Sequence, residues 1–172
     1  VFARELQAHY SSLVSGEPVT LAPLPVQYAD YAAWQHEQLN DDLLKVQLRY
    51  WKQQLSELQT LQLPTDRPRR ELPSTIQSGR EALQIPVDTF KSLCQLANEE
   101  GATPFMVMLA CFQILLSRYA RQEDIVVGSA MANRNHSDIE GLIGFFVNML
   151  VFRVDLSECT TFRDVVRLAK RT

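Results

Sequence analysis

The order of its periodic segments predicts an α/β protein, and three observations carry that prediction. Residues 1–62 show only helical spacing of apolar side chains. From residue 79 onward strand-like and helix-like patterns alternate in the order β-α-α-β-α-β-α, which requires a sheet layer covered by helices. The composition, 46% hydrophobic and 22% charged over 172 residues, supplies enough apolar surface for a sizeable core and is unlike that of a disordered chain.

Taken in order, Phe2, Leu6, Tyr10 and Leu13 share one face of a first helix, which Gly16 ends. A proline-rich connection over 18–25 follows, and Pro25 is placed to be the first helical residue of a second helix over 26–39. Asn40 and Asp41 cap a third helix, along which Leu44, Leu48, Trp51, Leu55 and Leu58 make a narrow apolar stripe. All three stripes are one-sided and need a further surface to cover them. From 63 to 78 the pattern stops. Pro64, Pro68 and Pro73 interleave with Arg67, Arg69 and Arg70, giving an extended charged linker and a boundary between two lobes. The arginines could hold phosphate, but solvation is the simpler account of them. The expected division is therefore 1–62, a linker over 63–78, and 79–172.

Beyond the linker, residues 80–86 alternate as a strand, with Ala82 and Gln84 on one side and Leu83 and Ile85 on the other. Asp88 caps a helix through Phe90, Leu93 and Ala97, stopped by Gly101. Thr103 and Pro104 open a helix that is apolar nearly all round as far as Leu116, which places it in the core. Residues 124–128 read as a buried strand, 138–147 as a short helix and 150–154 as a strand, and Thr161 begins a last helix.

Several function classes are disfavoured. A net charge of −3 argues against a nucleic-acid surface. The most apolar run, 104–112 continued by 114–116, is too short and interrupted to span a bilayer. Cys94, Cys111 and Cys159 form no CxxC pair, and Cys94 and Cys111 sit in apolar helical patterns, so they read as packing residues in a reducing cytoplasm. His9, His36 and His136 are far apart and in no metal-ligand spacing, and no metal site is expected. There is no GxSxG, Walker loop or GxGxxG. Asp41 and Asp42 complement the dipole of a helix start. The chain opens inside an amphipathic helix with nothing ahead to cap it and closes without a stop signal, so it reads as a piece of a longer one.

Two segments ask for more. In Tyr28-Ala29-Asp30-Tyr31-Ala32-Ala33-Trp34-Gln35, helical spacing puts Tyr31 and Trp34 on one face and leaves Tyr28 and Asp30 to point elsewhere. An aromatic anchor holding the helix to the core accounts for it. In Ile139 through Leu150, Gly141 and Gly144 would let a helix approach another backbone closely, and Asn148 interrupts an apolar stretch where the next strand begins. Asn148 either caps or lines a substrate channel.

At these two segments the sequence resembles the condensation domains of non-ribosomal peptide synthetases. The family motif Y-x-D-Y-A-x-W is matched by Tyr28, Asp30, Tyr31, Ala32 and Trp34, and I-G-x-F-V-N by Ile143, Gly144, Phe146, Val147 and Asn148. Similarity extends to Leu63 through Arg69 and to Val127, Gly128 and Ala132 through Arg134, in the family's order and spacing over nearly the whole chain. Asn133 stands where glycine is common, and Met149 where threonine is frequent.

The resemblance implies a chloramphenicol-acetyltransferase-like fold of two lobes with a tunnel between them, of which this chain would be a fragment: the end of the first lobe, the linker and the first part of the second. It implies amide-bond formation between donor and acceptor thioesters presented by peptidyl carrier domains, with phosphopantetheine arms as tethered substrates, neighbouring synthetase domains as partners, and no directly bound cofactor. Nucleic acid and membrane are not expected partners. The family's HHxxxDG motif, whose second histidine is implicated in promoting amine attack, does not occur in these residues. No catalytic residue is therefore assigned, and the chain is expected to be inactive alone. Ser129, Met131 and Asn148 are candidates for the channel wall, whereas Tyr28, Asp30, Tyr31, Trp34, Gly144 and Phe146 are expected to be structural. A non-catalytic, partner-recruiting domain of the same fold is the alternative. Related acyltransferase, epimerising or cyclising variants share the fold, but the two full motif matches favour ordinary condensation.

Overall fold

A computed structural model describes residues 1–66 and 79–172. These residues form six helices and two strands: α1 (Phe2–Ser15), α2 (Tyr28–Gln38), α3 (Asp41–Gln54), α4 (Val87–Glu99), α5 (Pro104–Ala120), β1 (Asp124–Met131), β2 (Asn148–Asp155) and α6 (Phe162–Arg171). The α/β class holds. Most of the expected linker, 67–78 with its arginines, lies outside the described residues. The chain falls into two compact units, each built from two stretches. One joins Val1–Gln54 to Ala130–Leu150, and the other joins Leu55–Ser129 to Val151–Thr172.

In the first unit, helix ends follow local chemistry. Gly16 terminates α1 in the left-handed conformation, φ 73°, where its N–H donates to the Ser12 carbonyl at 2.9 Å. The Asn40 side chain accepts from the Leu43 N–H at 3.0 Å and so caps α3. The start of α2 differs from expectation. Gln27 is the cap and its N–H donates to Asp30 Oδ2 at 2.8 Å, so Pro25 lies ahead of the helix and Asp30 secures its first turn. The end of α3 also differs, because Leu55 and Leu58 fall beyond Gln54 and do not continue its stripe. No residue of α1 or α3 is buried, and Phe2, Tyr10 and Leu13 stand open to solvent. The buried cluster of this unit is Tyr31, Ile139, Leu142 and Phe146, with Val26 packed against it.

The second unit packs α5 against α4 and α6. Its buried cluster is Ala97, Val107, Ala110, Val165, Val166 and Ala169, small side chains that let helix axes come close. Thr103 caps α5 through the Met106 N–H at 3.3 Å, with Pro104 in first position, and Thr161 caps α6 reciprocally with Asp164. The α4 cap is Pro86, and Asp88 sits inside the first turn without a capping bond. The α5 helix buries one face only, Val107, Leu109, Ala110 and Gln113, while Phe105, Phe112 and Leu115 remain exposed. The all-round apolar pattern overstated its burial. Arg163 donates to Glu99 and Glu100 at 2.6 Å each, and Arg167 donates to Glu100 at 2.7 Å. Arg163 holds the Glu99 carboxyl below its ordinary value, and Arg167, then Arg163, does the same for Glu100.

The two strands pair with each other. The Leu156 N–H donates to the Glu123 carbonyl at 3.0 Å, which sets the end of β2 beside the start of β1, the antiparallel sense. Of β1 only Ile125 is buried, with Val126 and Val127 half-buried, so the expected buried strand is buried in part. Beside it, Arg153 holds Asp124 through two bonds of 2.8 and 2.7 Å and donates to the Ser56 carbonyl at 2.9 Å. Residues 80–86 are not a strand, and all of them but Ile85 are exposed. An alternating segment becomes a strand only when a second one pairs with its backbone, and none of the described strands does. Among the described residues no single helix is long and apolar enough to cross a membrane.

Candidate functional site

The two singled-out segments meet in the first unit. Residues 28, 31 and 34 lie three apart on α2, which puts their rings along one face. Tyr28 therefore does not point elsewhere; its ring centroid lies 6.3 Å from that of Tyr31. Phe146 is received between them, 5.3 Å from Tyr28 edge-to-face and 4.8 Å from Tyr31. Arg134 closes the other side, its guanidinium 4.0 Å from the Phe146 ring centre and donating to the Ile139 carbonyl at 2.5 Å. Trp34 packs edge-to-face on His136 at 5.3 Å.

Residues 138–147 are not the expected helix. A short 3-10 turn, Ser137–Ile139, is followed by irregular backbone that reaches the start of β2 at Asn148. The reason is visible at Gly144. A Cβ there would collide with Cδ2 and Cε2 of the Tyr28 ring, so only glycine lets the backbone pass. The close approach that the glycine permits is thus to a tyrosine ring and not to another helix. The Tyr28 hydroxyl donates to the Phe145 carbonyl at 3.0 Å and satisfies a backbone acceptor that a helix would have paired internally.

This knot forms one wall of a groove of about 610 Å³, with Asn148 on its lining. Asn148 begins β2, as its position in the sequence suggested, and its side chain is exposed. Of the other channel candidates, Met131 is 41% exposed on β1 and Ser129 is half-buried in the second unit; neither lines this groove. Asp30 spends its carboxylate on the helix start. Arg134 and His136 were not singled out for this packing. Nothing in their local spacing points to it, since their partners lie across the fold. Among the described residues no group of three His, Cys, Asp or Glu is placed to hold a metal. Burial pushes the Cys111 and Cys159 thiols up, which disfavours the thiolate a nucleophile needs.

The profile of the condensation domain matches residues 1–172. The chain belongs to the condensation-domain family. It is 47% identical to one of the proteins that make up linear gramicidin synthase in Brevibacillus parabrevis, an alignment covering 100% of this chain and 2% of that protein. Among solved structures it resembles the complex of the X-domain and OxyB from teicoplanin biosynthesis, with a TM-score of 0.85 and 32% identity, covering 99% of this chain and 38% of that one. The first condensation domain of the calcium-dependent antibiotic synthetase, bound to a substrate analogue, shares the fold at a TM-score of 0.69 and 21% identity over 95% of this chain and 37% of that one. The condensation domain described here therefore spans a small part of the synthetases it matches, and its first unit holds the family's two motifs in contact with each other.

Proposed function

We propose that this condensation domain serves amide-bond formation in a non-ribosomal peptide synthetase. The amine of an acceptor aminoacyl thioester attacks the carbonyl of a donor aminoacyl or peptidyl thioester. The C–N bond forms, the C–S bond breaks, the amine loses a proton, and the thiol leaves on the donor carrier's phosphopantetheine arm. Tethering two reactants in one channel supplies much of the rate. In this reading the carrier domains and neighbouring synthetase domains are its partners, no metal or diffusible cofactor is required, and the setting is cytoplasmic. Asn148, with Ser129 and Met131, is our candidate for the channel wall. The observation that supports the reading is the intact pair of motifs packed on one another, Tyr28 and Tyr31 against Gly144 and Phe146.

The HHxxxDG motif, whose second histidine the resemblance implicates in amine attack, does not occur in these 172 residues. The chain alone, supplied with both loaded carrier domains, is expected to give no peptide; product above the uncatalysed level would overturn that. A second experiment tests the function itself. These residues replace the matching segment of a gramicidin-type condensation domain, and peptide formation by the hybrid is measured. A folded hybrid that condenses supports the reading, and a folded hybrid that does not overturns it.

The likeness to an X-domain held in complex with OxyB supports a second reading, a domain that recruits partner proteins and performs no condensation. The same hybrid decides between them, because a recruiting domain would fold in place and remain silent.

A further inference from the structure

A second cavity of the first unit, about 360 Å³, lies between α2 and the turn at Ser137–Ile139. It shares Tyr31 and Trp34 with the groove that holds Asn148, and no other described residue. Much of its lining is apolar. Tyr31 and Ile139 belong to the buried cluster of the unit, and Val26 packs against that cluster. Trp34 is 43% exposed and adds a second ring, its centroid 5.8 Å from that of Tyr31. The edge-to-face contact of Trp34 with His136, also on the lining, fixes that ring in place.

The rest of the lining carries two carboxylates, and no described lysine or arginine faces them. Asp30 gives Oδ2 to the Gln27 N–H and keeps Oδ1 open. Asp138 is exposed, and its side chain has no hydrogen bond or ion pair among the described residues. Rings and open carboxylates around one cavity both favour positive charge: the face of an aromatic ring attracts a cation, and so does an unpaired carboxylate.

Such a lining selects its ligand by exclusion and by match. An anion entering it would meet charge of its own sign. A hard metal ion needs a shell of oxygen ligands, and among the described residues no group of three candidate ligands is placed to supply one. A neutral apolar ligand would cover the rings and leave the carboxylates unanswered. An organic cation uses the whole lining, its aliphatic stem along Val26 and Ile139 and its charged head toward the rings and the carboxylates. We propose that this cavity binds a singly charged organic cation, an ammonium or guanidinium group on an aliphatic stem. Two sources present that chemistry, a lysine or arginine side chain of a protein and a free alkylamine. The inference does not rest on the condensation reading.

The test is a titration of the 15N-labelled chain with Nα-acetyl-lysine N-methylamide, with Nα-acetyl-arginine N-methylamide and separately with n-butylamine. The signals followed are the backbone amides of Asp30 and Asp138 and the indole of Trp34. Nα-acetyl-norleucine N-methylamide has the stem without the charge, and Nα-acetyl-glutamate N-methylamide has the opposite charge. Saturable shifts are expected with the cations and not with these two controls. Tighter binding of a blocked amino acid assigns the source to a protein side chain, and tighter binding of n-butylamine assigns it to a free amine. Added salt should weaken the binding, because both carboxylates are exposed. Asp138→Asn should weaken it about two- to fivefold and Trp34→Leu about two- to tenfold. Asp138→Lys, at an exposed position, should abolish saturation and gives the readout should the Trp34 variant fail to fold. No shift with any cation, equal shifts with the norleucine or glutamate probe, or unchanged affinity in the folded Asp138 variants would overturn the proposal.

Discussion

In the second unit three helices bury six small aliphatic side chains against one another, and ion pairs fasten the end of α4 to α6. In the first unit the buried cluster has four residues, two of them aromatic, and neither α1 nor α3 contributes any. The second unit is thus held by many ordinary contacts, each replaceable. The first depends on a few large rings and a glycine that admits one of them. Redundant packing tolerates change, and a knot of this kind does not.

That contrast can be broken experimentally. Both tryptophans, Trp34 and Trp51, lie in the first unit, so their fluorescence follows it, whereas far-ultraviolet circular dichroism follows helices of both. Leu142 is 1% exposed, and Leu142→Ala should cost about 2–5 kcal/mol in the fluorescence-detected urea transition. Val166→Ala in the other core should cost about 2 kcal/mol, seen mainly by circular dichroism. Identical shifts of both signals in both variants would show that the units unfold as one.

Gly144→Ala comes next, at about 1–3 kcal/mol, because the new methyl and the Tyr28 ring cannot share one position. In a Tyr28→Ala background the same change should cost close to nothing, and additive costs would refute the clash. Tyr28→Phe keeps the ring and removes only the donor to the Phe145 carbonyl, for about 0.5–1.5 kcal/mol.

The smallest effect is on the ion pairs of the second unit. Glu99 and Glu100 have folded-state pKa values below their ordinary ones. Their contribution is complete above the unfolded carboxylate value, about 4.3, and fades as pH falls from there through the lowered folded value. Thermal midpoints measured from pH 6 to pH 3 should decline less in Arg163→Gln than in the wild type. Parallel decline would show that these pairs add nothing.

Several elements were legible in the sequence for a physical reason: capping is decided by residues three or four positions apart. Gly16, Asn40, Thr103 and Thr161 each end or begin a helix as their identities require. The two motifs were equally legible as patterns, and with them the family. What the pattern of 80–86 and of 138–147 could not reveal was a partner, because alternation needs a second strand and a helical stretch yields when a distant ring takes the space. Tyr28 and Phe145 are 117 residues apart, and no local rule joins them. The groove was hidden for the same reason, its lining being scattered over four segments. Composition and short-range chemistry therefore determined the class, the four helix ends at Gly16, Asn40, Thr103 and Thr161, and the motif residues. Tertiary structure decided what each motif touches, since contacts between distant segments depend on how the whole chain packs.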